Sequence, residues 1–386
     1  MVDFRTVRIA DLGRVITGKT PPSSQPELFG DIHPFLTPTD IDGFARHIEP
    51  DRFLSSSGRD YQHRLMLPPR AVCVVCIGAT IGKVCMTDRP SFTNQQINSV
   101  AVNEDEHDPF FVYHLVTTLR DELKSNAGGA ATPIINKTAF SEIKVSVPPL
   151  ANQQRIVGIL SAYDELIENS QRRIKILEAM ARGLYREWFV HFRFPGHENH
   201  PLVASAFGEI PKGWEVRAVE NILSRRAAGT VYRDADVKSE GDIPVIDQST
   251  KEILGFHDNA PDHKASSVLP MAIFGDHTCK MQLLIEPFSI GPNVVPFVAG
   301  QGLPTTYVVY AVNSLVRTQE YKRHWTQLTA KEVVVADRAT AQRFASLIQP
   351  MLETQEMHRR SIRNLRRTRD LLLPRLLSGQ IDIGEI

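Results

Sequence analysis

Cysteine is scarce, with four residues in 386, at positions 73, 76, 85 and 279. That is too few and too uneven for a disulfide framework, which excludes the small stapled secreted scaffolds. Long apolar runs are also missing. The longest, residues 71–79, falls well short of the roughly 18 residues a membrane span needs. The first residues, MVDFRTVRIADLG, hold no apolar signal core, so the expectation is a cytoplasmic protein with no membrane partner. Net charge is absent as well: 44 Lys plus Arg balance 44 Asp plus Glu, so no global field argues for a polyanionic partner. The positive charge is instead local. Residues 358–375 carry seven arginines against one acid, Asp370, and this stripe either pairs with acids elsewhere or faces phosphate.

Catalytic and cofactor signatures are lacking too. Gly78-Ala79-Thr80-Ile81-Gly82-Lys83 looks like a phosphate loop, but it is one residue short between the glycines, and Val84 stands where a magnesium-binding hydroxyl is needed. Gly300-Gln301-Gly302 runs into Leu303-Pro304, which breaks the helix start that a dinucleotide site requires. Asp108-Pro109-Phe110-Phe111 reads as a helix N-terminus rather than a methyltransferase loop. Cys73 and Cys76 lie in a strand-like run and point to opposite faces, poor geometry for zinc. Asp276 and His277 adjoin without a nucleophile in a fitting pattern. No catalytic residue, metal or cofactor is therefore expected.

What is present is a repeat. Gln154-Arg155-Ile156 returns as Gln342-Arg343-Phe344, and the same offset of 188 carries Glu165 to Glu353 and Arg172 to Arg360. Earlier the offset is larger: Pro34 falls on Pro244 at 210, and Gly78 and Lys83 on Gly275 and Lys280 at 197. An offset that shrinks along the chain means shorter loops in the second copy. In the first copy, residues 72–77, 99–102 and 144–147 are Val- and Ile-rich runs that predict strands. Residues 110–124 predict a helix.

Each copy ends in a heptad helix. Leu160, Tyr163, Ile167, Ser170, Ile174, Leu177, Ala181 and Leu184 step by three and four, and the second copy repeats the seam at Ile348, Met351, Gln355, His358, Ile362, Leu365, Arg369 and Leu372. So narrow a stripe needs another helix. An antiparallel pair within the chain is the simplest closure, because the second module lies between the two helices. Pro350 predicts a kink or a late helix start. The fold class is therefore α+β, two similar mixed α/β domains separated by two long helices in an antiparallel intramolecular coiled coil. The expected boundaries are 1–148 for the first domain, 149–192 for its helix, 193–212 for a linker, 213–336 for the second domain and 337–380 for its helix.

Both modules supply donor-rich loops at similar places. In the first these are Lys19-Thr20, Thr37 with Thr39, Arg64, Thr80 with Lys83, Asn94-Gln95-Gln96 and Lys137. In the second they are Arg225-Arg226, Tyr232-Arg233, Gln248-Ser249-Thr250 and His277-Thr278 with Lys280. Arg pairs with guanine, Asn and Gln pair with adenine, and Lys, Ser and Thr hold phosphate. These loops are the candidate DNA contacts.

Several segments resemble the specificity subunits of type I restriction-modification systems. They are Pro148-Pro149-Leu150 through Gln154-Arg155-Ile156, Leu184-Tyr185-Arg186-Glu187-Trp188-Phe189, Gly208-Glu209-Ile210-Pro211-Lys212-Gly213-Trp214, and Leu372-Leu373-Pro374-Arg375-Leu376-Leu377-Ser378-Gly379. The resemblance implies two target-recognition domains, each reading one half of a bipartite double-stranded DNA target, with the helices setting the spacer. It further implies that two modification subunits dock here to methylate adenine, that restriction subunits can join, and that no catalysis resides in this chain. The rival readings are a coiled-coil adaptor without DNA readout and a self-sufficient DNA adenine methyltransferase.

Overall fold

The computed structural model describes residues 4–41, 46, 48–125, 127–128, 133–249, 251–318 and 323–381; Thr250 lies outside them. The chain forms two compact units, Met1–Ile167 with Asn364–Ile386, and Glu168–Arg363.

In the first unit a four-stranded antiparallel sheet runs in the order Gly13–Thr17, Ile97–Val102, Val72–Val75, Val84–Met86. Side chains alternate across a strand, and here both faces are covered. Val72, Val74 and Cys76 enter one core, while Cys73, Val75 and Cys85 enter another. A parallel pair, His33–Leu36 with Phe92–Thr93, and an antiparallel pair, Arg5–Arg8 with Lys144–Val147, complete the framework. The expected helix over 110–124 is two helices, Pro109–Thr118 and Arg120–Ser125, separated at Leu119. Asp108 caps the first by accepting from the backbone N–H groups of Phe110 and Phe111.

The second unit repeats these three strand groupings. Its sheet runs Leu223–Arg225, Val294–Ala299, Met271–Gly275, Met281–Leu284. Its parallel pair is Ile243–Ile246 with Ser289–Ile290, and its antiparallel pair Glu215–Ala218 with Glu332–Val335. Strand pairing corrects one equivalence. Val72 faces Val100 and Ala272 faces Phe297, so the central strands match at an offset of 200, and Gly275 corresponds to Val75 rather than Gly78. The backbone agrees: Val75 N–H donates to Lys83 O, and Gly275 N–H to Lys280 O. The second hairpin loop is shorter, and the glycine match at 197 was coincidental in composition, whereas Lys83 and Lys280 are true counterparts.

The first long helix is Leu150–Tyr185, continued by a π-helical turn at Arg186–Val190. The second is Arg338–Leu377. The late start expected from Pro350 does not occur. Asp337 accepts from the Thr340 N–H at 2.9 Å and its hydroxyl at 2.7 Å, an N-cap well upstream of the proline. Pro350 then sits on the exposed face of an established helix.

The two helices pair antiparallel in each unit. In the first, Ile156 and Leu160 share a core with Leu373, Leu376 and Leu377, and Asp164 meets Arg369 at 2.7 Å. In the second, Ala181, Leu184 and Tyr185 pack with Phe344, Ile348 and Met351, and Glu178 meets Arg359 at 3.4 Å. Leu160, Ile167, Ile348 and Ile362 are buried, and Tyr163, Ile174, Leu177, Leu184, Met351, Leu365 and Leu372 are half-buried. Leu166, Ile176 and Met180, off the seam, are exposed.

The expected linker over 193–212 contains a hairpin, Leu202–Ser205 with Gly208–Pro211. Phe194 beside it stacks on Trp214 with centroids 5.2 Å apart, and Trp214 donates its indole N–H to Asp337. Phe344 is the hub of the second core, with Tyr185, Trp188, Phe189, Tyr307 and Tyr310 rings around it. Emptying so crowded a site leaves a cavity. Phe344→Ala should cost about 3–5 kcal/mol in chemical denaturation, against no more than about 0.5 kcal/mol for exposed Leu347→Ala on the same helix.

Candidate nucleic-acid interface

Backbone geometry gathers most of the donor-rich loops of the first unit at the ends of its strands. Lys19 N–H donates to Thr93 O at 3.0 Å, and the Thr20 hydroxyl to Gln95 Oε1 at 2.7 Å. Asn94 is buried and donates its amide to Gln96 Oε1 at 2.9 Å, while Gln95 is exposed. Thr37 donates both its N–H and its hydroxyl to Asp40, at 2.7 and 2.6 Å, and its hydroxyl lies 2.8 Å from that of Thr39. Thr80 sits in the turn before Lys83, its carbonyl accepting from the Lys83 N–H. Arg64, in the turn His63–Leu65, and Lys137, opening the helix Lys137–Ser141, are exposed with no hydrogen bond into this group.

The second unit assembles a parallel group. Gln248 accepts from the His277 N–H at 3.0 Å through its side chain and from the Thr278 hydroxyl at 2.7 Å through its carbonyl. Ser249 donates to Asp247 at 2.7 Å. Arg225 ends the strand Leu223–Arg225 and Arg226 follows it, both exposed like Arg233. Tyr232 differs from expectation: it is buried and stacked on His257, with ring centroids 4.2 Å apart. Its flat face is therefore taken up inside the unit.

The repeated lysines turn inward. Lys83 Nζ donates to Ile41 O at 2.6 Å, and Lys280 Nζ to Lys251 O at 2.6 Å and Asp247 O at 3.0 Å. Ile41 and Lys251 correspond at the offset of 210, so both units use an ammonium to tie the hairpin to the same neighbouring loop. Burial lowers the Lys280 pKa against the raising effect of Asp247 and Glu252. Strand periodicity could not show this, because a lysine beside a turn normally reads as exposed.

The arginine run is largely neutralised within the fold. Arg359 pairs with Glu178 at 3.4 Å and also contacts Glu252; Arg360 contacts Glu286, and Arg363 meets Glu356 at 3.3 Å. The reading as a face paired with acids is the one these contacts support.

Sequence reasoning passed over a buried charge cluster in the first unit. Asp164 holds Arg369 at 2.7 Å through Oδ1, while Oδ2 lies 3.2 Å from His114 Nε2 and 3.8 Å from Arg46 Nε. All four side chains are buried. Burial pushes the Asp164 carboxyl up, but the contacts with His114 and Arg369 outweigh it and the net shift is downward. A signal existed: Arg369 occupies a seam position, and a buried guanidinium requires a buried acid.

Residues 1–179 match the model of the type I restriction modification DNA specificity domain. The MjaIX type I restriction enzyme specificity subunit of Methanocaldococcus jannaschii is 25% identical over 414 aligned residues, covering 100% of this chain and 95% of that one. The HindI specificity subunit of Haemophilus influenzae is 35% identical over 177 residues, 44% of this chain and 38% of that one. A crystal structure of the type I restriction-modification S subunit from M. genitalium shares the fold, with TM-score 0.58 and 15% identity over 97% of this chain and 96% of that one. The architecture is thus that of a duplicated α+β chain with paired helices. Residues 1–179 are thus similar to the type I restriction-modification specificity domain, and the chain along its whole length is similar to specificity subunits. Among the described residues no helix is long and apolar enough to cross a membrane.

Two outcomes follow from this geometry. Lys280→Met removes the donor for two loop carbonyls and should cost about 1–3 kcal/mol, with faster amide hydrogen exchange confined to residues 247–254. Because the Asp164 carboxyl is depressed in the fold, it contributes stability that is complete above the unfolded range near pH 4 and lost as pH falls through the lower folded value. Arg369, His114, Arg46 and Tyr113 surround that carboxyl. Asp164→Asn should flatten the acid limb of stability measured by denaturation from pH 6 to pH 2.

Proposed function

We propose that this chain is the DNA-reading subunit of a type I restriction-modification complex, with target-recognition domains at 1–148 and 213–336. Each reads one half of a bipartite double-stranded DNA target, and the helices at 149–192 and 337–380 set the unspecified spacer. The observation that carries this reading is the duplicated strand order, in which both copies bring a polar loop group to the same strand ends. Two copies of one framework with different loop residues suit two related but unequal half-sites. Exposed Lys19, Thr39, Gln95, Arg225, Arg226, Arg233 and Thr278 are the residues best placed to meet DNA, since their side chains are presented to solvent. Asn94, Tyr232, Lys83 and Lys280 instead shape the loops from within.

The chain itself performs no methylation or cleavage in this reading. Two modification subunits supply adenine methylation, restriction subunits supply the nuclease, and the complex works in the cytoplasm. The pure adaptor reading leaves the two matched polar loop groups without a purpose.

Exchanging residues 213–336 for those of another family member should change one half of the target only, as read by methylation mapping of the assembled complex. Alteration of both halves would reject modular reading. For the spacer, the seam demands whole heptads in both helices, since a single turn inserted into one would rotate every later seam residue off the partner. A heptad added after Ser170 together with one after Ile362 lengthens each helix by about 10.5 Å. The preferred spacer should then grow by roughly three base pairs; an unchanged spacer would refute the ruler.

A further inference from the structure

The repeat makes the two long helices copies of one another, which raises a pairing problem. At the offset of 188, Asp164 corresponds to Leu352 and Arg369 to Ala181. His114 corresponds to Tyr310 at 196, the offset that aligns the helix starts Pro109 and Thr305. Three matched positions thus carry His, Asp and Arg in the first unit and Tyr, Leu and Ala in the second. Ala181 is fully buried there, Leu352 packs on the same core, and Tyr310 stacks on Tyr185 at 6.0 Å. The flanking residues match in kind: Ile156 corresponds to Phe344 and Leu373 to Tyr185, all in the cores.

The apolar set shows that this place in the fold can be filled without charge. A buried ion pair is rarely superior to well-packed apolar groups, but leaving one partner alone is strongly unfavourable. Helices that are copies can also pair with themselves. If the first long helix met the same helix of a second chain antiparallel, Asp164 would face Ala181 twice; if the second met itself, Arg369 would face Leu352 twice. Only the pairing of first with second helix satisfies both charges.

We propose that Asp164 and Arg369 are specificity-determining residues that direct the first long helix to the second and exclude pairing of like helices between two copies of this chain. Polar groups at single seam positions act this way in coiled coils, fixing partner and register at a cost in stability. His114 and Arg46 complete the surroundings of the carboxylate on the side away from Arg369. The inference concerns assembly and does not rest on which DNA the chain reads.

The test transplants the apolar set into the full-length protein as His114→Tyr, Asp164→Leu and Arg369→Ala together. The wild type should sediment as a monomer across micromolar concentrations. The triple variant should melt no lower than the wild type, yet show concentration-dependent dimer, with self-association strengthened on the order of a hundredfold. A second arm uses single charge reversals. Asp164→Arg and Arg369→Asp, each destabilised alone, should recover stability when co-expressed, and co-purify as a one-to-one heterodimer, because each supplies the charge the other lacks. A dimeric wild type, a triple variant that stays monomeric or fails to fold, or reversals that do not associate would each overturn the proposal.

Discussion

A two-residue-wide apolar stripe on a long helix cannot remain in water, and this constraint governs the chain. The stripe on Leu150–Tyr185 is closed in each unit by Arg338–Leu377. Every position of the seam is buried or half-buried, including polar Ser170, Gln355 and Arg369. Because the chain is a duplication, each unit satisfies the constraint in the same way: its own helix begins beside its sheet, and the end of the other helix returns to cover it. The antiparallel direction follows from that arrangement. What differs between the units is the filling, aromatic around Phe344 in one and charged around Asp164 in the other.

The polar loops answer to a second constraint, the satisfaction of backbone carbonyls at strand ends. Lys83 and Lys280 do this work in their respective units. Their ammonium groups tie each hairpin to the neighbouring loop, so the two units hold the same framework with different residues on the loops. A half-buried lysine whose ammonium donates to loop carbonyls has those donors occupied within the fold. It fixes where its neighbours point.

Much of this was legible in advance. Strands and helices recur at the offsets of 210, 197 and 188, as with Ile97–Val102 and Val294–Ala299, while the central strands recur at 200. The heptad seams were legible because period 3.5 is a strong signal over many residues. The exceptions are local. Gly78 and Gly275 shared a residue type but not a place in the hairpin, since only the hydrogen-bond register distinguishes a strand end from a loop. Pro350 lies on the exposed face of a helix that Asp337 already caps upstream, so it removes one backbone donor from the helix without marking its start. Tyr232 belongs to a stack with His257 rather than to the surface.

The sequence by itself determined the duplication, the strand and helix order and the seam, because periodicity and self-similarity are properties of order along the chain. Tertiary structure alone decided which charges meet. Asp164, His114, Arg46 and Arg369 are separated by long stretches of chain, and nothing in their spacing announces that they share one buried site. Nor does it announce that the arginine run would find its acids at Glu178, Glu252 and Glu286. Electrostatic pairing depends on distance in space, and only folding converts a list of charges into distances.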